Sequence, residues 1–310
     1  MAETWTNAEA ALLQVWVQAG KRSDEIVTLF AEHGIERTYK SITRKLDRER
    51  AQNPADWHAM VAMATTKRWD TQLHIEADRV LILPDVHAPF HDADWINRCI
   101  GLALRYGCDT VALPGDLVDF AAFSKFGRQE RVEAEDEIAA ARQIIRALAS
   151  SFAHVIYTGG NHEMRLPRKT DNLLELRDAM EMFVSAPNVQ VSDYHWFELV
   201  SGGEMFHVEH PKPSSSTAIV VPRALCRKFL CHIIGTHGHM WGMGRDESGR
   251  FWLVDSGVAC DPLRLAYIQK VHSTRPMVYQ GACLVLDGVP LLLSPDNIAT
   301  FEWLATPRAA

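Results

Sequence analysis

At 310 residues, with 47% hydrophobic and 23% charged side chains, the chain has room for one large domain and a small one, and its balance excludes disordered and fibrous classes. A formal charge of −7 excludes a globally basic nucleic-acid binder and leaves only a local cationic patch for such a role. The longest apolar runs, Val80 to Pro84 and Val289 to Leu293, fall far short of the ~20 residues of a membrane helix, and Met1-Ala2-Glu3-Thr4-Trp5 lacks the basic-then-apolar order of a secretory signal, so a protein of the cytoplasm without membrane association is expected.

The first fifty residues predict three helices. Thr6-Asn7-Ala8-Glu9 is a capping box, followed by Leu12, Leu13, Trp16 and Val17 on a stripe that stops at Gly20. Ser23 is placed to cap a second helix carrying Ile26, Val27 and Phe30, and Gly34 ends it. Thr38 is placed to cap a third, in which Tyr39, Ile42 and Leu46 face inward. On its other side Lys40, Arg44 and Arg48 recur every four residues beside Lys45, so one face is cationic. Residues 51 to 75, with Trp57, Met60, Met63 and Trp69, read as a further helix and a linker.

This stretch resembles the helix-turn-helix and Myb-like modules that open with Trp-Thr, here Trp5-Thr6, and end in Arg-Thr-x-x-x-Ile-x-x-Lys-Leu, here Arg37 to Leu46. The resemblance implies a last helix that enters the DNA major groove, with Lys40, Ser41, Arg44, Lys45 and Arg48 as contacts. Basic and acidic residues nearly cancel over the first fifty positions, and the same face on an assembly appendage stays open as an alternative.

From Val80 onward short apolar runs alternate with longer amphipathic stretches, the pattern of a sheet flanked by helices, with helices expected over 93–106, 132–150 and 172–184. Ser214-Ser215-Ser216 reads as a loop. The six cysteines, Cys99, Cys108, Cys226, Cys231, Cys260 and Cys283, form no Cys-x-x-Cys pair and read as reduced, packed thiols.

Five blocks in this region carry chemistry: Asp85-Val86-His87, Gly115-Asp116-Leu117-Val118-Asp119, Gly160-Asn161-His162-Glu163, His210, and His237-Gly238-His239. Each follows a strand-like run, and loops at the carboxyl ends of strands converge on ligand sites in α/β sheets. His210 is preferred over His207 because it ends its run. Asp, Asn and His together offer oxygen and imidazole donors to divalent metal, and the absence of cysteine disfavours a structural zinc site.

The order of blocks resembles the calcineurin-like metallophosphoesterases: Asp-x-His, Gly-Asp-x-x-Asp, Gly-Asn-His-Glu/Asp, His, Gly-His-x-His. Thr236 stands where that family usually has Gly. The resemblance runs from about Val80 to Cys260 and implies a four-layer sandwich of two packed mixed β-sheets flanked by helices over 77–310; the helical pattern before it is read as a small all-α domain over 1–52 and a helical linker over 53–76. It also implies a phosphoester hydrolase in which two divalent ions share a hydroxide that attacks phosphorus in line. Mn²⁺ is the first choice of metal, and Fe, Zn or Ni accept the same donors.

By motif position Asp85, His87 and His239 complete one ion, Asn161, His210 and His237 the other, and Asp116 bridges. His162 is then expected at the leaving group, paired with Asp119. Phe120 occupies the place of the phosphate-gripping Arg of the protein-phosphatase branch, so Arg165, Lys125 or Arg128 must substitute, Arg165 first. The Asp85-x-His87-x-Pro89-Phe90-His91 opening is similar to phosphoesterases of phage and prophage genes, which implies nucleic acid as substrate in a bacterial or phage-infected cell. Two other readings stay open: a phosphomonoesterase of nucleotides or other small esters, and a DNA-binding regulator with an inactive phosphoesterase domain.

Overall fold

The computed structural model describes residues 4–53, 57, 69–124, 132–269 and 278–306. The chain divides into two compact units, Met1–Trp69 and Asp70–Ala310. No helix among the described residues is long and apolar enough to cross a membrane.

In the first unit the helices are α1 (Asn7–Gln18), α2 (Ser23–Glu32) and α3 (Tyr39–Gln52). The capping box forms: Thr6 accepts the Glu9 N–H at 3.2 Å and Glu9 accepts the Thr6 N–H at 2.7 Å. Glu9 is nevertheless buried, because the same carboxylate takes the Arg37 guanidinium at 2.7 Å. Leu13, Val17, Ile26, Phe30, Ile42, Leu46 and Trp57 make the core. Two expectations are corrected here. Arg22 rather than Ser23 is the N-cap of α2, its N–H bonded to Glu25, so the helix starts one residue earlier. Tyr39 is 58% exposed, since the first turn of α3 lies outside that apolar cluster and the inward stripe begins at Ile42.

The second unit is built on two six-stranded mixed sheets. Its strands are β1 (His74–Glu76), β2 (Arg79–Ile82), β3 (Thr110–Pro114), β4 (His154–Thr158), β5 (Val189–Ser192), β6 (Trp196–Ser201), β7 (Glu204–Glu209), β8 (His232–Gly235), β9 (Trp241–Arg245), β10 (Trp252–Ser256), β11 (Ala282–Leu286) and β12 (Val289–Leu293). One sheet runs β12-β11-β2-β3-β4-β5, with β2 to β5 parallel, and the other runs β1-β6-β7-β8-β10-β9.

Side chains alternate across a strand, so β2 sends Val80 and Ile82 to one face and Leu81 to the other. Val80, Ile82, Ala112 and Ile156 meet Phe197, Leu199, Phe206, Val208, Ile234 and Val254 of the opposite sheet in one apolar layer. Leu81, Val111, Leu113, Val155 and Tyr157 pack outward against α4 (Ala93–Arg105) and α5 (Ala134–Ser151). The outer face of the other sheet, at Ile233 and Leu253, is covered by Cys226 of α8 (Val220–Phe229). This is a four-layer α/β sandwich.

Smaller helices complete the unit: α6 (Arg165–Lys169), α7 (Leu176–Glu181), α9 (Ala266–Gln269) and α10 (Ile298–Leu304). The helix expected over 172–184 shrinks to α7 because Asp171 and Asn172 adopt left-handed backbone, with φ of 49° and 59°, which no helix continues through. The six cysteines are free and buried.

Asp255, at the end of β10, is buried and accepts the N–H of Ile219. Burial pushes its carboxyl up to about 6. The folded value lies above the unfolded one, so the ionised carboxyl costs stability above that pH and nothing below the unfolded pKa of about 3.9. Asp255→Asn, which keeps an acceptor for Ile219, is therefore expected to stabilise metal-free protein by about 1–3 kcal/mol at pH 8 and by little near pH 4. Urea unfolding at the two pH values checks this, and an equal gain at both would contradict it.

Candidate metal centre

Both sheets contribute. Asp85 and His87 follow β2, Asp116 and Asp119 follow β3, Asn161, His162 and Glu163 follow β4, His210 follows β7, and His237 and His239 follow β8. The loops turn abruptly: Asp85, His87, Asp116, His237 and His239 all have φ between 43° and 66°, a left-handed region sparsely used by such residues. Close approach needs glycine at two points. A Cβ on Gly115 would lie 2.6 Å from the His210 ring, and one on Gly160 would lie 2.3 Å from the Asp116 amide nitrogen.

Three groups of donors result. Asp85, His87 and His239 form one, Asp116, His210 and His237 a second, and His87, Asp119 and His162 a third. In the first, the Nε2 atoms of His87 and His239 face one another at 3.3 Å, and His239 Nε2 lies 3.6 Å from Asp85 Oδ1. In the second, His210 Nε2 lies 3.4 Å from Asp116 Oδ2 and 3.1 Å from Asn161 Oδ1. Asp116 Oδ2 is also 4.0 Å from His87 Nε2, which places that one oxygen between the first two groups.

The donor set fits divalent metal. Asp85 and Asp116 are fully buried, yet Asp85 Oδ1 and Asp116 Oδ2 have no hydrogen-bond partner. A buried carboxylate oxygen left that way is costly unless a cation takes it. The facing imidazole nitrogens stand at 3.4–4.0 Å, longer than good hydrogen bonds and in keeping with donors that share an ion. Burial and neighbouring His210 hold His237 down to about 4, so its ring offers a lone pair at neutral pH. His87 is likewise pushed down by burial.

Supporting contacts orient these donors. The Thr236 hydroxyl bonds the Pro114 carbonyl at 3.0 Å and touches His210 Nδ1 at 3.0 Å, while that nitrogen is 3.2 Å from the same carbonyl. With Nδ1 so engaged, Nε2 is left facing the carboxylates. Thr236 thus has a job that its departure from the motif pattern flagged but did not explain. His207 lies elsewhere, stacked between Trp196 and Phe229 and bonded to Glu209 at 2.7 Å.

The third group is joined by hydrogen bonds. Asp119 Oδ1 lies 3.1 Å from both His87 Nδ1 and His162 Nδ1, so one carboxylate orients two imidazoles. The Asp119 carbonyl accepts from His162 Nδ1 at 2.8 Å and from Arg165 Nη1 at 2.7 Å. Arg165 Nη2 is 3.0 Å from His162 Nε2. Burial pulls His162 down, but Asp116 and Asp119 outweigh it and raise the imidazole to about 9. Asp119 is held well below its ordinary range, because its bonds to His162 and His87 outweigh the opposing effect of burial.

Of the other candidates, Lys125 and Arg128 lie outside the described residues. On α3, Lys40, Arg44 and Arg48 are exposed, and no ion pair engages them among the described residues. Ser41 is buried and Lys45 is paired with Glu49 at 2.5 Å, so neither belongs to that open face. Glu163 has a part that its place in the Gly160-Asn161-His162-Glu163 block does not reveal. Its side chain is fully buried and accepts five donors, the N–H groups of Asp116, Leu117, Val118 and Gly160 and the Tyr157 hydroxyl.

A family model described as calcineurin-like phosphoesterase matches residues 78–259. No curated protein matches the chain. Among solved structures, that of Yfce, a phosphoesterase from E. coli, aligns at 12% identity with a TM-score of 0.37, covering 70% of this chain and 98% of that one, a likeness too slight to argue from.

Proposed function

Because the chain belongs to the calcineurin-like phosphoesterases, enzymes that hydrolyse phosphoester bonds, we propose that it is a two-metal hydrolase acting on phosphodiesters or terminal phosphates of nucleic acid. The observation that carries the two-metal reading is the pair of orphaned oxygens, Asp85 Oδ1 and Asp116 Oδ2, each among imidazole nitrogens. Asp85, His87 and His239 would hold one ion, Asn161, His210 and His237 the other, and Asp116 would serve both. Bound there, divalent metal supplies Lewis acidity toward phosphate and water. Mn²⁺ suits these oxygen and imidazole donors.

The chain's own residues do the rest. Asp119 fixes the His162 ring through Nδ1; Nε2 lies 3.0 Å from Arg165 Nη2, and once that guanidinium turns to the phosphate, Nε2 would face the leaving group and the imidazole would give up its proton there. Arg165, anchored on the Asp119 carbonyl, offers its guanidinium to the phosphate oxygens and supplies the charge that Phe120 cannot. His162→Ala and Asp119→Asn are expected to lower turnover of an unactivated phosphodiester by about 10²-fold or more. Unchanged turnover in both variants refutes the pairing.

Support for nucleic acid comes from α3, where Lys40, Arg44 and Arg48 share one open face. Lys40→Ala/Arg44→Ala/Arg48→Ala is expected to weaken duplex binding across sequences and flatten its salt dependence by up to about three phosphate contacts. Binding curves that overlay the parent's at every salt concentration would remove the DNA role. Comparing bis(p-nitrophenyl) phosphate with p-nitrophenyl phosphate in Mn²⁺ then separates diester from monoester chemistry.

A further inference from the structure

Glu137 belongs to no motif, yet it is placed at a cost. It sits in the first turn of α5, completely buried, and no cation pairs with it among the described residues. One carboxyl oxygen accepts the Ala121 N–H at 2.7 Å, the Ala122 N–H also favours the carboxylate, and the other oxygen has no hydrogen-bond partner among the described residues. Burial pushes its carboxyl up to about 7, a measure of the penalty. A straight apolar side chain of similar size would avoid that penalty, so the acceptor it provides calls for a reason.

The turn it touches supplies one. Phe120, between Asp119 and Ala121, is a buried aromatic residue with φ of 48°, left-handed backbone that an aromatic side chain rarely adopts. The peptide on one side of Phe120 carries the Asp119 carbonyl, which receives His162 Nδ1 and Arg165 Nη1. The N–H just beyond its other side is the one Glu137 takes. A shift of this turn therefore moves His162 and Arg165 together.

We propose that Glu137 is a positioning residue for phosphoester cleavage: its carboxyl clamps the left-handed turn after Asp119 and so sets where His162 presents its proton. This rests on the assignment of His162 as proton donor. Misplacing a donor hurts substrates with poor leaving groups most, whereas a general loss of packing hurts all alike.

The test compares Glu137→Met, which removes the acceptor at similar volume, with Glu137→Gln, which keeps an acceptor oxygen. Substrates are bis(p-nitrophenyl) phosphate and an unactivated thymidine dinucleotide. Glu137→Met is expected to lose about 10-fold or more in kcat on the dinucleotide, a fraction of what a full acid contributes, with KM unchanged and little loss on the activated diester. Glu137→Gln is expected to restore the parent pattern. Equal losses on both substrates, or a Gln variant as impaired as Met, would overturn the proposal. If Glu137→Met does not fold, the Gln variant decides alone: retained leaving-group preference supports the clamp, and its loss overturns it.

His162→Ala, run alongside, separates the two ideas. If it lowers both substrates equally, the donor assignment falls instead. The clamp is then judged in metal-free, 15N-histidine-labelled protein. A His162 Nδ1–H signal protected in parent and Gln but lost in Met supports it, and an unchanged signal in Met overturns it.

Discussion

Asp116→Asn should lose more than about 100-fold in turnover, since even partners that merely orient ligands cost 10–100-fold, while the protein stays folded. The exchange keeps shape: an amide oxygen can still accept the His162 N–H that Asp116 Oδ1 now takes at 2.8 Å. What disappears is charge at Oδ2, the buried oxygen without a partner that lies 3.4 Å from His210 Nε2 and 4.0 Å from His87 Nε2. Asp85 Oδ1, the other orphaned oxygen, meets His239 Nε2 at 3.6 Å but faces His210 through Nδ1, the nitrogen that Thr236 engages. Bound Mn²⁺ per chain, measured after dialysis, should fall with the turnover. A variant that binds the parent's complement of metal and keeps its rate would end the two-metal reading.

Glu163→Ala should be the most destabilising single change in the centre. It strips the acceptor from the N–H groups of Asp116, Leu117 and Gly160 and from the Tyr157 hydroxyl, all buried. At about 1–3 kcal/mol for each buried donor left unsatisfied, the loss should exceed about 3 kcal/mol. Glu163→Gln is the sharper probe. One of its amide faces would point N–H at N–H, because Oε2 now takes both Asp116 and Gly160 at 3.0 Å. The Asp116 loop, already in left-handed backbone, would then move, and displacement on the order of 1 Å can cost about 10²-fold in rate. Urea midpoints and turnover of both variants check this; a Gln variant indistinguishable from the parent in both would show that the carboxylate only fills space.

The strand-end placement of the blocks could be read from the sequence because each follows a run of apolar residues too short for anything but a strand, such as Thr110 to Leu113 before Asp116. The division into two sheets could not, since neighbours such as β2 and β11 are some two hundred residues apart and periodicity carries no pairing information. Local chemistry misled in small ways. Ser41 sits on the spacing of a contact residue but one position from Ile42, and the helix rotation buries both. Ser23 is a good cap by type, yet the Arg22 N–H found Glu25 first. Glu137 left no trace, because a glutamate in the first turn of a helix is ordinary until its burial is seen.

The division of donors between sheets has a mechanical corollary. Asp85, Asp116 and Asn161 ride on one sheet, His210, His237 and His239 on the other, and the oily seam through Ile156 and Phe197, together with cross-links such as Thr236 to the Pro114 carbonyl, sets the spacing between them. Whatever fills the centre acts as a rivet through both plates. Loosening that seam at a residue that is not itself a ligand, for example by Phe197→Ala, would be felt at the rivet as weakened grip.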